Sequence, residues 1–329
     1  MAAPYFKGRH TGNESEFAGM LTLTAILLLP TLFPDKIGWL AMFIPLPVFF
    51  YHTRLGGKKN GLTLIRNSVI PATGGALLFG SLPKLFFSLT MVPPGIVFSH
   101  GVFNRNSPVA TGFIGFMVLA ATWFLYWAAL AILYQTSPYE TLLVEIDRGL
   151  SNGLMLYEAS AELAPETLER LRQAVKLLQD YFPKVLPALL ISALLSTTWL
   201  NLAFGNWLLK KKNRELTQWP EFNEWKLPDP LVWLVVLSGI FVLLQPKPIM
   251  ILGLNGLIIC STLYFFQGLA IAASLLNRWS VPVLIRVLIY ALIFIQTYGI
   301  IILSFLGLVD VWADFRKLNH AGDNQNSSF

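Results

Sequence analysis

The sequence predicts an all-α polytopic transmembrane helix bundle, and three observations carry that prediction. Of its 329 residues 55% are hydrophobic and 13% charged, against roughly 45–50% and about 25% in a soluble domain. The mean hydropathy is +0.59. Apolar runs of the length a bilayer demands, roughly 17–25 residues, recur along the chain, and the alternating pattern of a β-barrel does not appear. A soluble globular enzyme, a disordered chain and a disulfide scaffold are thereby excluded. Cys260 is the single cysteine, and four scattered histidines offer no metal-ligand spacing. No metal and no cofactor is expected.

Taken in order, the apolar segments are Phe17–Phe33, which ends at Pro34-Asp35-Lys36, and Ile37–Tyr51, which follows at once as the second arm of a hairpin. Leu64–Leu82 and Leu85–Phe98 come next, both interrupted by Pro and Gly. Thr111–Tyr134 is long and clean, and Pro183–Leu209 follows a polar stretch. The last three are Leu231–Gln245, Ile249–Leu276 and Val281–Val309. This gives nine spans, or eight if Leu64–Phe98 only re-enters the membrane. The first run lacks a small-x-small cleavage site, so it reads as an uncleaved span.

The net charge of +6 and pI near 9.4 fit cytoplasmic loops that collect Lys and Arg; no nucleic-acid partner is expected. Arg54, Lys58 and Lys59, then Lys210–Arg214, then Arg278 and Arg286 fall on the cytoplasmic side if nine spans start from a cytoplasmic N-terminus. Trp39, Trp207, Trp279 and Trp312 stand near segment ends, where indole rings favour the headgroup level. Trp123, Trp127 and Trp233 are expected to pack between helices.

Between spans five and six, Gln135–Tyr181 reads as an amphipathic extramembrane helix pair. Leu142, Leu143, Ile146, Leu150 and Leu154 recur at helical spacing, and a second helix opens at Pro165 with Glu166 and Glu169 in its first turn. The pair either lies on the membrane surface or forms a hairpin leading into the sixth span. Its many carboxylates occupy wet helix faces, where they solvate rather than catalyse. The expected organisation is an N-terminal membrane bundle at 1–134, the helix pair at 135–182, C-terminal membrane helices at 183–317 and a disordered polar tail at 318–329.

No nucleotide-binding, zinc-protease or serine-hydrolase motif is present, so no catalytic residue is assigned and the chain is not expected to be an enzyme. The candidate binding residues come from backbone breaks and intramembrane polar groups. Pro71, Gly74 and Gly75 interrupt the third segment and Pro93-Pro94-Gly95 the fourth. Freed backbone at membrane depth is tolerated where it lines a cavity, although Gly and Pro are simply commoner in membrane helices. In the ninth segment Arg286, Tyr290, Thr297 and Ser304 fall within roughly 40° of one another at about 100° per residue. In the eighth, Cys260, Gln267 and Ser274 share a face and Asn255 sits elsewhere. Arg286, Tyr290, Thr297, Gln267, Asn255, Gly74, Gly75 and Pro94 thus form the candidate substrate-binding set, with Arg286 as a bidentate donor to a polar or anionic molecule. The competing reading is interhelical hydrogen bonding, with Arg286 snorkelling to the surface. Gly268 and Ala272 read as a helix-packing contact.

Two stretches carry a resemblance. Trp225-Lys-Leu-Pro-Asp-Pro-Leu-Val-Trp233, together with Asn255, Tyr264-Phe-Phe-Gln-Gly-Leu-Ala270 and Gly307-Leu-Val-Asp-Val-Trp-Ala-Asp-Phe-Arg-Lys317, resembles the YybS-like family of bacterial membrane proteins of unknown function. Ala313 stands where family members usually show an aromatic. Pro45-Leu-Pro47 and Arg54-Leu-Gly-Gly-Lys-Lys-Asn-Gly61 are similar to S components of energy-coupling-factor vitamin transporters. That likeness implies a small molecule held within the helices and ATPase or coupling subunits as partners. The resulting expectation is a multi-pass protein of the bacterial inner membrane with a small-molecule binding or transport role. The alternative is a non-transporting scaffold that organises other envelope proteins.

Overall fold

The computed structural model describes residues 13–160 and 164–316; the tail expected at 318–329 lies outside them. Among the described residues the chain is all-helical. The helices are α1 (Asn13–Leu32), α2 (Pro34–Ile37), α3 (Pro45–Arg54), α4 (Lys58–Leu78), α5 (Leu82–Thr90), α6 (Val92–Phe103), α7 (Pro108–Tyr134), α8 (Pro138–Ser160), α9 (Pro165–Lys212), α10 (Val232–Leu243), α11 (Lys247–Arg278), α12 (Val283–Ile295) and α13 (Thr297–Ala313). Short 3-10 turns fill Gly38–Phe43 and the connector between α9 and α10.

Four of these helical stretches, Leu82–Phe103, Pro108–Tyr134, Pro165–Lys212 and Lys247–Arg278, are long and apolar enough to cross a membrane. The count rises to six if two bent pairs each make one span, Glu16–Leu32 with Pro34–Arg54 (111°) and Val283–Ile293 with Tyr298–Ala313 (103°).

The helix boundaries correct the sequence reading at three places. α4 runs through Pro71, Gly74 and Gly75 without a break, because an internal proline removes a single rung of a ladder whose neighbours persist. α9 is continuous for 48 residues through Pro183 and Pro187, so the second amphipathic helix and the sixth apolar segment are one rod. The ninth segment instead breaks at Gln296, whose extended backbone (φ −99°, ψ 121°) stands between α12 and α13. Gly299 fits that corner: a Cβ there would lie 2.6 Å from the Ile293 carbonyl oxygen.

The described residues form two compact units. The first takes the residues up to Trp123, Ala193–Val232 and those from Ser261 onward; the second takes Phe124–Ser192 and Trp233–Cys260. In the first unit α1 packs on α4, with Leu23, Leu27, Ile44, Val48, Leu64 and Leu85 in the core. Gly75 serves this contact, since a Cβ on it would lie 2.8 Å from a Leu28 methyl.

α3 and α6 run side by side in the same direction. Gly95 meets the Pro45 carbonyl and Val48, His52 meets Ser99, and Gly57 meets Phe103. The end of α9 follows them: the Asn201 amide donates to the Met42 carbonyl (2.7 Å), and Gly205 accommodates the Phe49 ring. Arg54, Arg105 and Lys210–Lys212 therefore gather at one end of this unit, as loops of one membrane side would. The turn from α3 to α4 is made by Gly56 (φ 77°) and Gly57 (φ 68°), a left-handed conformation that side chains resist.

In the second unit, α8 and the first half of α9 form an antiparallel helical hairpin. Arg172 pairs with Glu158 (2.7 Å), Gln179 donates to Asp147 (2.8 Å) and Ser151 (3.2 Å), and the Tyr139 hydroxyl donates to the Pro183 carbonyl (3.1 Å). Trp39, Trp207, Trp279 and Trp312 are exposed, as helix-end indoles should be, and so is Trp233. The position of Trp233 corrects the expectation that it packs between helices; it lies one residue into α10 rather than deep within it.

Candidate functional site

Two sets of buried polar groups in the first unit bear on function. The first lies on α3 and α6. His52, 1% exposed, shares a hydrogen bond with the Ser99 hydroxyl (Nδ1 to Oγ, 2.8 Å). Its other ring nitrogen, Nε2, is buried and has no hydrogen-bond partner, and the hydroxyls of Thr53 and Thr111 are in the same state. Helix geometry forces this burial. α4 turns back across α3 at Gly61, where a Cβ would lie 2.5 Å from the His52 ring. α7 turns back across α6 at Gly101, where a Cβ would lie 2.3 Å from Thr111. The ring of His100, an exposed residue, sits 5.7 Å from that of His52.

An imidazole with one nitrogen committed to a hydroxyl and the other free can donate or accept one further hydrogen bond. A buried polar group without a partner costs about 1–3 kcal/mol, so an incoming polar molecule that satisfies it regains that amount. Among the described residues no carboxylate bonds His52, so no serine–histidine–acid arrangement is formed by them. Among the described residues no group of three His, Cys, Asp or Glu side chains could hold a metal.

The second set joins α11, α13 and the connector after α9. Arg316 and Asp310 form an ion pair (2.9 Å) with side chains 1% and 2% exposed. Arg316 also donates to the carbonyls of Asn223 (3.0 Å) and Trp225 (2.8 Å). Gln267 donates to Asp310 (3.3 Å) and accepts from the Leu227 amide (3.1 Å). Asp314, in a left-handed conformation (φ 40°), ends α13 and turns the chain so that Phe315 N–H caps Asp310 (2.9 Å).

The residues expected to converge on one cavity are held in different places. Gln267 belongs to the Asp310 network just described. Arg286 bonds the Val281 carbonyl (2.6 Å) and the Asn277 side chain, fastening the turn from α11 to α12. Tyr290 packs against the Phe265–Leu303 cluster. Thr297 opens α13, after the break at Gln296, and its side chain lies outside the described residues. Pro94 is buried in the first turn of α6, where a proline costs no hydrogen bond, and Gly75 is a packing contact while Gly74 faces open space. The common face drawn for Arg286, Tyr290, Thr297 and Ser304 is cut by the helix break. Gly268 does make the packing contact expected of it, against Leu303.

Asn255, in the second unit, has a structural task. Pro187 has no N–H, so the Pro183 carbonyl loses its helical partner and is met by Tyr139. At the next rung the Asn255 carboxamide bonds both members of the Lys184–Ala188 pair. It donates to the Lys184 carbonyl (2.8 Å) and accepts from the Ala188 amide (3.0 Å). Asn255→Leu should remove both bonds that tie α11 to this turn of α9, at about 0.5–1.5 kcal/mol each. Amide hydrogen exchange is expected to quicken at Ala188 and stay unchanged at Leu202.

A groove of about 280 Å³ between α8 and α9, lined by Leu143, Ile146, Leu150 and Phe182 with Asp147 and Gln179, is a weaker candidate, because its polar pair is already joined.

His52 and Asp310 escaped the hydropathy reading for one reason. The apolar segments Ile37–Tyr51 and Val281–Val309 each end one residue before them, so hydropathy alone leaves both polar groups outside the spans. His52 and Ser99 are 47 residues apart, and no local spacing announces the pair.

A family model described as "Predicted membrane protein (DUF2232)" matches residues 22–311. No curated protein and no solved structure matches the chain.

Proposed function

The chain belongs to the DUF2232 family of predicted membrane proteins, and from that premise we propose that it binds a small polar molecule within its first unit. The working picture is a multi-pass protein of the bacterial inner membrane, of the YybS-like kind. It holds its ligand as an S component does and draws on partner ATPase or coupling subunits for any transport. Eight or nine crossings belong to the same reading, supported by at least one α-helix in every apolar segment of the sequence.

The observation that carries the reading is the His52–Ser99 pair with its unpartnered Nε2. An ionisable group kept inside apolar helices is expensive and marks a functional site more often than a packing one. The recognition is that of a neutral hydrogen-bonding ligand, without the bidentate contact to a polar or anionic molecule expected of Arg286, whose guanidinium is engaged in the α11–α12 turn. No catalytic step is part of this reading.

Native mass spectrometry of gently solubilised protein tests it. Wild type should retain a small-molecule adduct, and His52→Ala should lose it while eluting as the same species in size exclusion. An adduct equally retained by both proteins overturns the assignment.

The exposed hairpin supports the second reading, a scaffold for envelope proteins. Its ion pairs Arg148–Glu145 and Arg170–Glu166 lie in solvent, where each is worth only about 0–1 kcal/mol, while Met155, Leu156 and Tyr157 stay exposed beside them. Co-purification with envelope proteins, without ATPase subunits and without an adduct, would favour it.

A further inference from the structure

We propose that the connector 213–231 is a closed strap over the inner face of α3 beside His52, latched by Gln267, Asp310 and Arg316, and that releasing the latch opens this face at the basic end.

The strap is made to lie flat. Extended backbone at Thr217, Glu221 and Trp225 alternates with one-turn 3-10 segments, and Pro220, Pro228 and Pro230 forbid a continuous helix. It covers the bundle with two indoles. Trp219, 5% exposed, lies against Phe49 with ring centroids 5.9 Å apart, and Phe49 meets Phe98, the neighbour of Ser99, at 5.8 Å. The Trp219 indole N–H donates to the Asn106 carbonyl (2.7 Å), fixing the strap to the α6–α7 turn. Asn206 of α9 donates to the Pro220 carbonyl (2.8 Å), fixing the strap to that helix, and the Trp225 indole donates to the same carbonyl from within the strap (3.0 Å). Thr53 stands one helical turn beyond Phe49 on the same face of α3; it is 2% exposed, and its hydroxyl has no hydrogen-bond partner.

What distinguishes a strap from an ordinary packed loop is how its far half is held. The carbonyls of Asn223 and Trp225 and the amide of Leu227 are satisfied not by the strap itself but by Arg316 and Gln267, and both of these meet on the single carboxylate of Asp310. One carboxylate therefore organises three backbone anchors of the strap. Such a connection holds or releases as a unit, because removing one charge leaves the other buried without its partner. The proposal relies on the ligand reading only for what the opening would admit; the opening itself is independent of it.

The test is cysteine labelling of the full chain in detergent with a membrane-impermeant maleimide, on a Cys260→Ser background. One reporter, Thr53→Cys, lies one helical turn along α3 from the Phe49–Trp219 contact. The control reporter, Leu23→Cys, sits in the α1–α4 core. Each is combined with Trp219→Ala and, separately, with Arg316→Gln. The expected result is that either strap variant raises the labelling rate at position 53 at least tenfold and leaves position 23 unlabelled. Position 53 labelled as fast without a strap variant, or unlabelled with both, overturns the proposal. So does position 23 opening together with position 53 in both variants, which would be general loosening. The ligand adduct is read separately by mass spectrometry, so a strap that opens over an empty site and a ligand held without a strap give different results.

Discussion

Replacing Asp310 with alanine should destabilise the protein by about 3–5 kcal/mol, the cost of leaving one partner of a buried ion pair uncompensated. The magnitude follows from burial. Arg316 and Asp310 are 1% and 2% exposed at their side chains, so no water reaches the orphaned guanidinium, and its remaining bonds to the Asn223 and Trp225 carbonyls carry no neutralising charge. Asp310→Asn should cost less, since its single carboxamide oxygen still accepts from one of the two donors, Phe315 or Gln267, that address different oxygens of the carboxylate, and Asp310→Ala with Arg316→Met should recover much of the loss. Thermal unfolding in one detergent, followed by the fluorescence of the buried indoles Trp219 and Trp225, measures all three. An Asp310→Ala midpoint equal to wild type would show that the pair contributes nothing net.

The second large effect is expected at the crossing of α11 and α13. A Cβ on Gly268 would lie 2.0 Å from the Leu303 carbonyl oxygen, and one on Gly307 would lie 2.0 Å from the Tyr264 carbonyl oxygen. Both obstacles are backbone, so no rotamer change relieves them and the helices must separate. Gly268→Ala and Gly307→Ala should each cost at least the roughly 1–3 kcal/mol of an overpacked core. Gly74→Ala, in open space, should be neutral or slightly stabilising, because alanine is the better helix former by roughly 1 kcal/mol. Unfolding midpoints of the three variants compared side by side decide the matter; equal losses at positions 74 and 268 would contradict the crossing geometry.

Hydropathy locates the helices well and their buried polar groups poorly, for physical reasons. A run such as Thr111–Tyr134 has to be helical because a bilayer tolerates no unpaired backbone, and α7 follows it closely. Proline and glycine were less legible. Pro71 and Pro187 sit inside unbroken helices, and the lost rung at Pro187 is made good by Tyr139 and Asn255, partners 44 and 67 residues away from the groups they satisfy. Gln296, by contrast, marks a real break without any proline. Gln267 is buried, as a polar side chain within an apolar helix should be, but it belongs to the Asp310 network and not to the His52–Ser99 pair. Its true partners, Asp310 and Leu227, lie on elements whose facing no periodicity fixes. Arg286 looked like a ligand donor because it leads an apolar helix; its bonds to Val281 and Asn277 show how a charged group near a helix start is satisfied locally.

The distance along the chain between the strap and its latch also sets an order of events at the ribosome. Arg316 lies 93 residues after Asn223, which at about 5–20 residues per second amounts to roughly 5–20 s of synthesis. Over that interval the nascent chain has made α3, α6, the end of α9 and the strap's indoles, but not the arginine that anchors the strap's carbonyls. The strap–latch network is therefore completed only after α10 to α13 have been synthesised, and insertion of the last helices becomes the step that completes the first unit.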